Sequence, residues 1–161
     1  MQRPEESAYR DYVTARMEVL RRTAYLLCRD WFLADDLVSI TIGKLYRHWL
    51  RARAMTHLDA YVRQILVRTW LDERQRPWRR EEPTEDLPEV PVAMGPDLVE
   101  RAGLLDLLAE LPVRRRAAVV LRFYCDLSVE ETAEILGCSA GTVKSQTARA
   151  LDTLRARVVE P

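Results

Sequence analysis

The sequence predicts an all-α protein built as two small helical domains joined by a flexible acidic linker. Three observations carry this expectation. Only five glycines occur in 161 residues, too few for a turn-rich all-β fold. Ala, Leu, Arg and Glu, all strong helix formers, dominate the composition. A stretch rich in proline and acid, from Pro77 to Pro96, separates two segments whose apolar residues recur at helical spacing. With 48% of residues apolar, each segment has material for a core.

The elements follow in order. Tyr9, Val13, Met17, Leu20, Ala24 and Leu27 form one stripe and predict an amphipathic first helix. Val38, Ile42, Leu45 and Trp49 predict a second, with Asp35 and Asp36 near its start, where carboxylates complement the helix dipole. A third runs through Tyr61, Ile65, Leu66, Thr69 and Trp70, and residues 51–58 between them break the period as a loop. The linker holds Pro77, Pro83, Pro88, Pro91 and Pro96 and cannot build a core, so it is expected to be extended or disordered. Beyond it, Leu98, Ala102, Leu105, Leu108 and Leu111 mark a helix ending before Pro112, and another covers residues 114–124. Ser128 and Glu131 then have the spacing of a capping box, opening a helix that runs to Leu136. Gly137 stands where a left-handed C-cap is needed, and Ser139 can cap the final helix, which carries Val143, Thr147, Leu151, Leu154 and Val158 on one face. The expected domains are residues 1–80, a linker at 81–97, and residues 98–161.

The net charge is zero, but its distribution is uneven. Residues 44–80 hold 10 basic and 3 acidic side chains, whereas residues 81–100 hold 7 acidic and no basic ones. A basic block of this kind either forms a solvated helix face or binds phosphates, whatever the total charge. Cys28, Cys125 and Cys138 are odd in number, lack a CxxC pair and sit among apolar residues. They read as small hydrophobes in a reducing cytoplasm rather than as a disulfide or metal site. No apolar run is long enough to span a membrane, and the N-terminus lacks the apolar core of a signal peptide. The two histidines, His48 and His57, belong to no metal-spaced cluster, and no nucleophile motif or phosphate-binding glycine loop is present. No enzyme, cofactor or metal is therefore expected.

A short helix, a turn containing glycine and a second amphipathic helix make a helix-turn-helix. Ala133 is small where the helices approach, Gly137 permits the turn, and Val143 plugs the second helix onto the first. Ser139, Thr142, Lys144, Ser145, Gln146 and Arg149 are left outward on the N-terminal half of the second helix, the part that enters a major groove. Lys144 and Arg149 can reach phosphates or guanine edges, and Gln146 can pair with adenine. The alternative is an ordinary helical hairpin with a polar face.

The run LAELPVRRRAAVVLRFYCDLSVEETAEILGCSAGTVKSQTARALDTLRA closely resembles region 4 of the ECF (extracytoplasmic function) sigma factors of RNA polymerase, within the sigma-70 superfamily. Upstream, WFLADDLVSITIGKLYRHW resembles their region 2.2, and HLDAYVRQILVRTWLDERQR their regions 2.3 and 2.4; the subgroup looks actinobacterial. The resemblance covers nearly the whole chain, and both motifs in this order are specific. It implies a region 2 helical bundle and a region 4 helix-turn-helix, with core RNA polymerase and promoter DNA as partners and an anti-sigma factor as a further possible one. By resemblance, Asp35, Asp36, Leu37, Ser39 and Lys44 bind the polymerase β′ clamp helices, with helix N-capping as the plain alternative for the two aspartates. Regions 2.3 and 2.4 would recognise and melt the −10 element. There a basic track of Arg63, Arg68, Arg74, Arg76, Arg79 and Arg80 suits a single strand. A pocket lined by the Arg53–Leu58 loop, including His57, and by Tyr61, Trp70 or Asp72 suits an unstacked base. Core packing is the competing role for Tyr61 and Trp70.

Region 4 would read the −35 element through Lys144, Ser145, Ala148 and Arg149, with Arg114, Arg115 and Arg116 near phosphate and a second docking site on the polymerase β flap. The acidic linker is either a flexible tether or an RNA mimic near the polymerase cleft. Departures from the family pattern at Ser39, Arg68, Lys144 and Gln146 bear on promoter sequence more than on function. The competing readings are a stand-alone helix-turn-helix regulator and a module that binds only another protein.

Overall fold

The computed structural model describes residues 3–74 and 106–159, and these are helical without any strand among them. The expected linker, the boundaries at residues 80/81 and 97/98, the start of the helix expected from Leu98, and Arg76, Arg79 and Arg80 lie outside the described residues.

Helix α1 (Arg3–Cys28) and helix α2 (Trp31–Arg47) form an antiparallel hairpin. Tyr9 near the start of α1 donates its hydroxyl to Ile42 O near the end of α2 at 2.8 Å, and its ring meets Tyr46 and Trp49 edge-on. Asp30 caps α2, accepting from the amides of Phe32 at 2.9 Å and Leu33 at 3.2 Å. Sequence reasoning expects Asp35 and Asp36 at the start of α2; they sit one turn further in, because the helix begins at Trp31. The expected α1 stripe is also imperfect, since Met17 is exposed. The expected loop at residues 51–58 opens with a short helix α3 (Trp49–Ala52), and helix α4 (Leu58–Arg74) then crosses the hairpin.

In the C-terminal half, residues 106–110 form a short helix, α5, and α6 (Val113–Val119) widens into a π turn over Val120–Tyr124. Helix α7 (Val129–Leu136) is closed by the capping box: Glu131 N donates to Ser128 Oγ and Ser128 N to Glu131 Oε1, both at 3.0 Å. Gly137 follows at φ 67°, the left-handed value that a residue with a Cβ adopts only with strain. Helix α8 (Ala140–Val159) begins with Ser139 Oγ accepting from Thr142 N at 3.1 Å.

The two halves meet in one apolar cluster. Leu27, Leu66, Val67 and Trp70 of the N-terminal half are buried together with Ala117, Ala118, Val120, Leu121, Ile135 and Leu136 of the C-terminal half. At roughly 1.5–3 kcal/mol for each large apolar side chain taken from water, this shared cluster is a main source of cohesion between the halves. Leu108, Leu111, Val119 and Ala150 form a second, smaller cluster.

Candidate nucleic-acid interface

The recognition face of α8 is set by its buried side. Val143 is fully buried, and Thr147 and Ala150 are buried along the same side of α8, so the helix cannot rotate without opening the core. Ser139, Thr142, Lys144, Ser145, Ala148 and Arg149 are then exposed, as their spacing requires. Gln146 is half-buried, and its carbonyl Oε1 accepts from Arg115 Nε at 3.0 Å. The face therefore presents a cation at each of two points, Lys144 and Arg149, with short hydroxyls between them and the helix N-terminus.

The three consecutive arginines of α6 have three different environments. Arg114 is exposed and rests against the C-terminus of α7, donating to Leu136 O at 3.4 Å. Arg115 lies against α8 through Gln146. Arg116, expected near phosphate, is buried instead. Its guanidinium donates to Leu108 O at 3.0 Å, Leu27 O at 2.7 Å, Ala109 O at 3.1 Å and Leu111 O at 3.3 Å. The cation sits where the C-termini of α1 and α5 converge, and their carbonyl dipoles stand in for an anion. Burial, then the charges of Arg74 and Arg29, lower its pKa. In this arrangement it has no path to DNA.

The expected strand-binding face divides similarly. Arg53, His57, Arg68, Asp72 and Arg74 are exposed, while Tyr61 and Arg63 are half-buried. Trp70 is only 1% exposed and, in this arrangement, is a core residue with no ring face open to a base. Arg74 instead lies over the Trp70 ring at 5.7 Å. A polar groove of about 440 Å³ is lined by Tyr12, Arg16, Thr56, His57, Asp59 and Arg63, among others, and by Glu131 of α7. Tyr12 donates to Asp59 Oδ1 at 2.5 Å and Arg16 Nε to the same oxygen at 3.0 Å. Burial alone would raise the Asp59 pKa, but these two donors outweigh it and hold the carboxyl below its usual range. The same burial and the Asp59 partner push the Tyr12 hydroxyl upward. Helix α7 lies over this face: Arg68 Nη2 donates to Glu134 O at 3.4 Å, and Glu131 shares the groove with His57 and Arg63.

On α2, Asp35, Asp36 and Ser39 are exposed along one face. Asp35 is held by Arg21 Nε at 2.7 Å, and Arg21 in turn lies 4.4 Å over the Trp31 ring, which stacks on Tyr25. Leu37, expected on this face, is fully buried in the core. Lys44 is half-buried and donates to Thr69 Oγ1 of α4 at 2.9 Å, which ties the two helices together. Sequence reasoning missed Phe32, which is 66% exposed on the same face. Its spacing of three, four and seven residues to Asp35, Asp36 and Ser39 is the signal that finds it. Among the described residues no group of His, Cys, Asp and Glu could hold a metal, and no helix is long and apolar enough to cross a membrane.

Three kinds of comparison bear on this geometry. The family model for sigma-70 region 4 matches residues 101–154. An RNA polymerase sigma-E factor of Streptomyces coelicolor is 38% identical over 94% of this chain and 86% of its own length. An ECF RNA polymerase sigma factor SigM of Mycobacterium tuberculosis is 35% identical over 81% of this chain and 67% of its own length. Among solved structures, the sigma factor RpoE in complex with the anti-sigma factor NepR from Bartonella quintana superposes with a TM-score of 0.78. It shares 24% identity over 96% of this chain and 99% of that one, and so speaks for the fold.

Proposed function

The chain belongs to the ECF sigma factors of RNA polymerase, and from that membership and its exposed faces we propose how its residues divide the work of initiation. As a sigma factor it binds core RNA polymerase and directs it to promoter DNA. The similarity spans both halves, which sets aside a stand-alone helix-turn-helix regulator. Catalysis belongs to the polymerase, and the factor acts by positioning, in the cytoplasm where the polymerase works.

The observation that carries the residue assignment is the α8 face, rigidly aimed by buried Val143 and exposing Lys144, Ser145, Ala148 and Arg149. This face reads the −35 element in the major groove, with Ser139 and Thr142 at the helix N-terminus and Arg114 close to the phosphate backbone. The exposed loop at residues 53–57, with Arg53 and His57, and the neighbouring Tyr61, Arg63, Arg68, Asp72 and Arg74 receive the melted −10 strand. The α2 face of Phe32, Asp35, Asp36 and Ser39 meets the polymerase clamp, with Phe32 as its apolar anchor.

Helix α7 covers part of the −10 face, so promoter engagement requires the halves to separate. Core polymerase, gripping each half at its own site, supplies that separation. An anti-sigma factor is a natural regulator, given that the superposed sigma factor RpoE was solved in complex with one.

Run-off transcription with core polymerase tests the assignment. Arg149→Ala is expected to weaken −35-dependent initiation by about 1–3 kcal/mol if Arg149 contacts a base edge with both guanidinium donors. Equal loss on promoters with and without a −35 element would remove Arg149 from base reading.

A further inference from the structure

We propose that Arg115 is a positioning residue that sets which base Gln146 selects in the −35 element. The proposal rests on the reading of α8 as the recognition helix. A free glutamine selects adenine, because its carbonyl accepts from the N6 amine while its amide donates to N7. Gln146 is not free in that sense. Arg115 Nε donates to its Oε1 at 3.0 Å, and among the described residues this is the hydrogen bond its side chain makes. The donor comes from α6, a separate helix, and both residues are half-buried, so the pair is held by the packing of α6 on α8.

The contact has a directional consequence. With the carbonyl engaged by Arg115, the NH2 end is the part of the amide left without a hydrogen-bond partner among the described residues. Gln146 then offers a base its two amide donors, while its acceptor is held against α6. In the major groove guanine offers two acceptors, N7 and O6, thymine offers O4, and cytosine offers only a donor. The anchored glutamine therefore favours guanine, which meets its two donors with two acceptors, and disfavours cytosine. Adenine loses half of its two-point contact and with it the advantage a free glutamine would give. The sequence alone, with Gln146 outward on a recognition helix, points to adenine; the Arg115 contact reverses that.

Holoenzyme assembled with full-length factor tests this on a promoter set carrying all four bases at each −35 position in turn. Gln146→Ala first locates the position, as the one where base ranking collapses. At that position the wild-type factor is expected to rank guanine above adenine, with cytosine last. Arg115→Met keeps an apolar stem against α8 but frees the carbonyl. It should raise adenine relative to guanine by roughly ten-fold, the scale of one two-point base contact. In the Gln146→Ala background, Arg115→Met should leave the ranking unchanged. A uniform loss on all four bases, with the wild-type ranking intact, would overturn the proposal and leave Arg115 a phosphate or packing residue. If Gln146→Ala alters ranking at no position, the assignment of Gln146 to base reading itself fails, which is a different result.

Discussion

Replacing Arg116 by methionine separates two physical pictures of the same residue. Read from sequence, three consecutive arginines at the start of a DNA-binding helix suggest three phosphate contacts. In the structure the third is a buried cation bonded to carbonyls of Leu27, Leu108, Ala109 and Leu111, with no carboxylate paired to it among the described residues. Each such hydrogen bond contributes about 0.5–1.5 kcal/mol net, so four sum to roughly 2–6 kcal/mol. Removing the cation also removes the cost of keeping a charge out of water, which offsets part of that loss. The expected net destabilisation is about 2–4 kcal/mol. For a chain of this size each kcal/mol moves the midpoint by about 2–4 °C, so Tm should fall by roughly 5–15 °C. Arg116→Lys should recover only part of it, since an ammonium cannot span four acceptors. Thermal unfolding followed by circular dichroism measures both. The salt dependence of promoter binding by holoenzyme supplies the second axis: a residue that neutralises one phosphate should, when replaced, lower the log–log slope by about 1. An unchanged Tm together with a reduced slope would refute the buried-latch account and restore the phosphate reading.

Two further outcomes follow from local geometry. Val143→Ala removes two methyl groups from a fully buried site on α8 and should cost about 2 kcal/mol in chemical denaturation, weakening −35 recognition by misplacing α8 while its base-facing side chains stay intact. The Glu131 carboxyl is held below its usual range, first by the Ser128 amide and hydroxyl and then by the charges of His57 and Arg63. A depressed folded-state pKa contributes stability above the unfolded value and loses it as pH falls through the folded one. Stability should therefore decline on the acid side, and Glu131→Gln, which keeps an acceptor for Ser128 N but no charge, should remove this residue's share of the decline.

Much of the C-terminal unit was legible because its signals are local. Ser128, Glu131, Gly137 and Ser139 act within four residues of themselves, through caps and a left-handed turn that need no distant partner. The helical period likewise placed Val143 inside and Lys144 and Arg149 outside. The family motifs in the two halves, read from the same sequence, pointed to the sigma factor function that the comparisons bear out.

Where the sequence failed, the missing partner was distant. Arg116 is buried because Leu27 O, 89 residues earlier, and the end of α5 supply its acceptors. Leu37 lies on a face that the packing of α1, α2 and α4 closes, although the family motif placed it at a surface, whereas Trp70 takes the core role that its sequence reading set beside base stacking. Phe32 stays exposed although its type favours burial, and Gln146 has its carbonyl claimed by another helix. Local chemistry determined the elements, their caps and the polar edge of α8. Tertiary packing alone decided which arginine is structural, which aromatic is available and which end of an amide is already bonded. A side chain's type fixes its donors, acceptors and apolar area, whereas its role depends on which groups from elsewhere in the chain have already satisfied them.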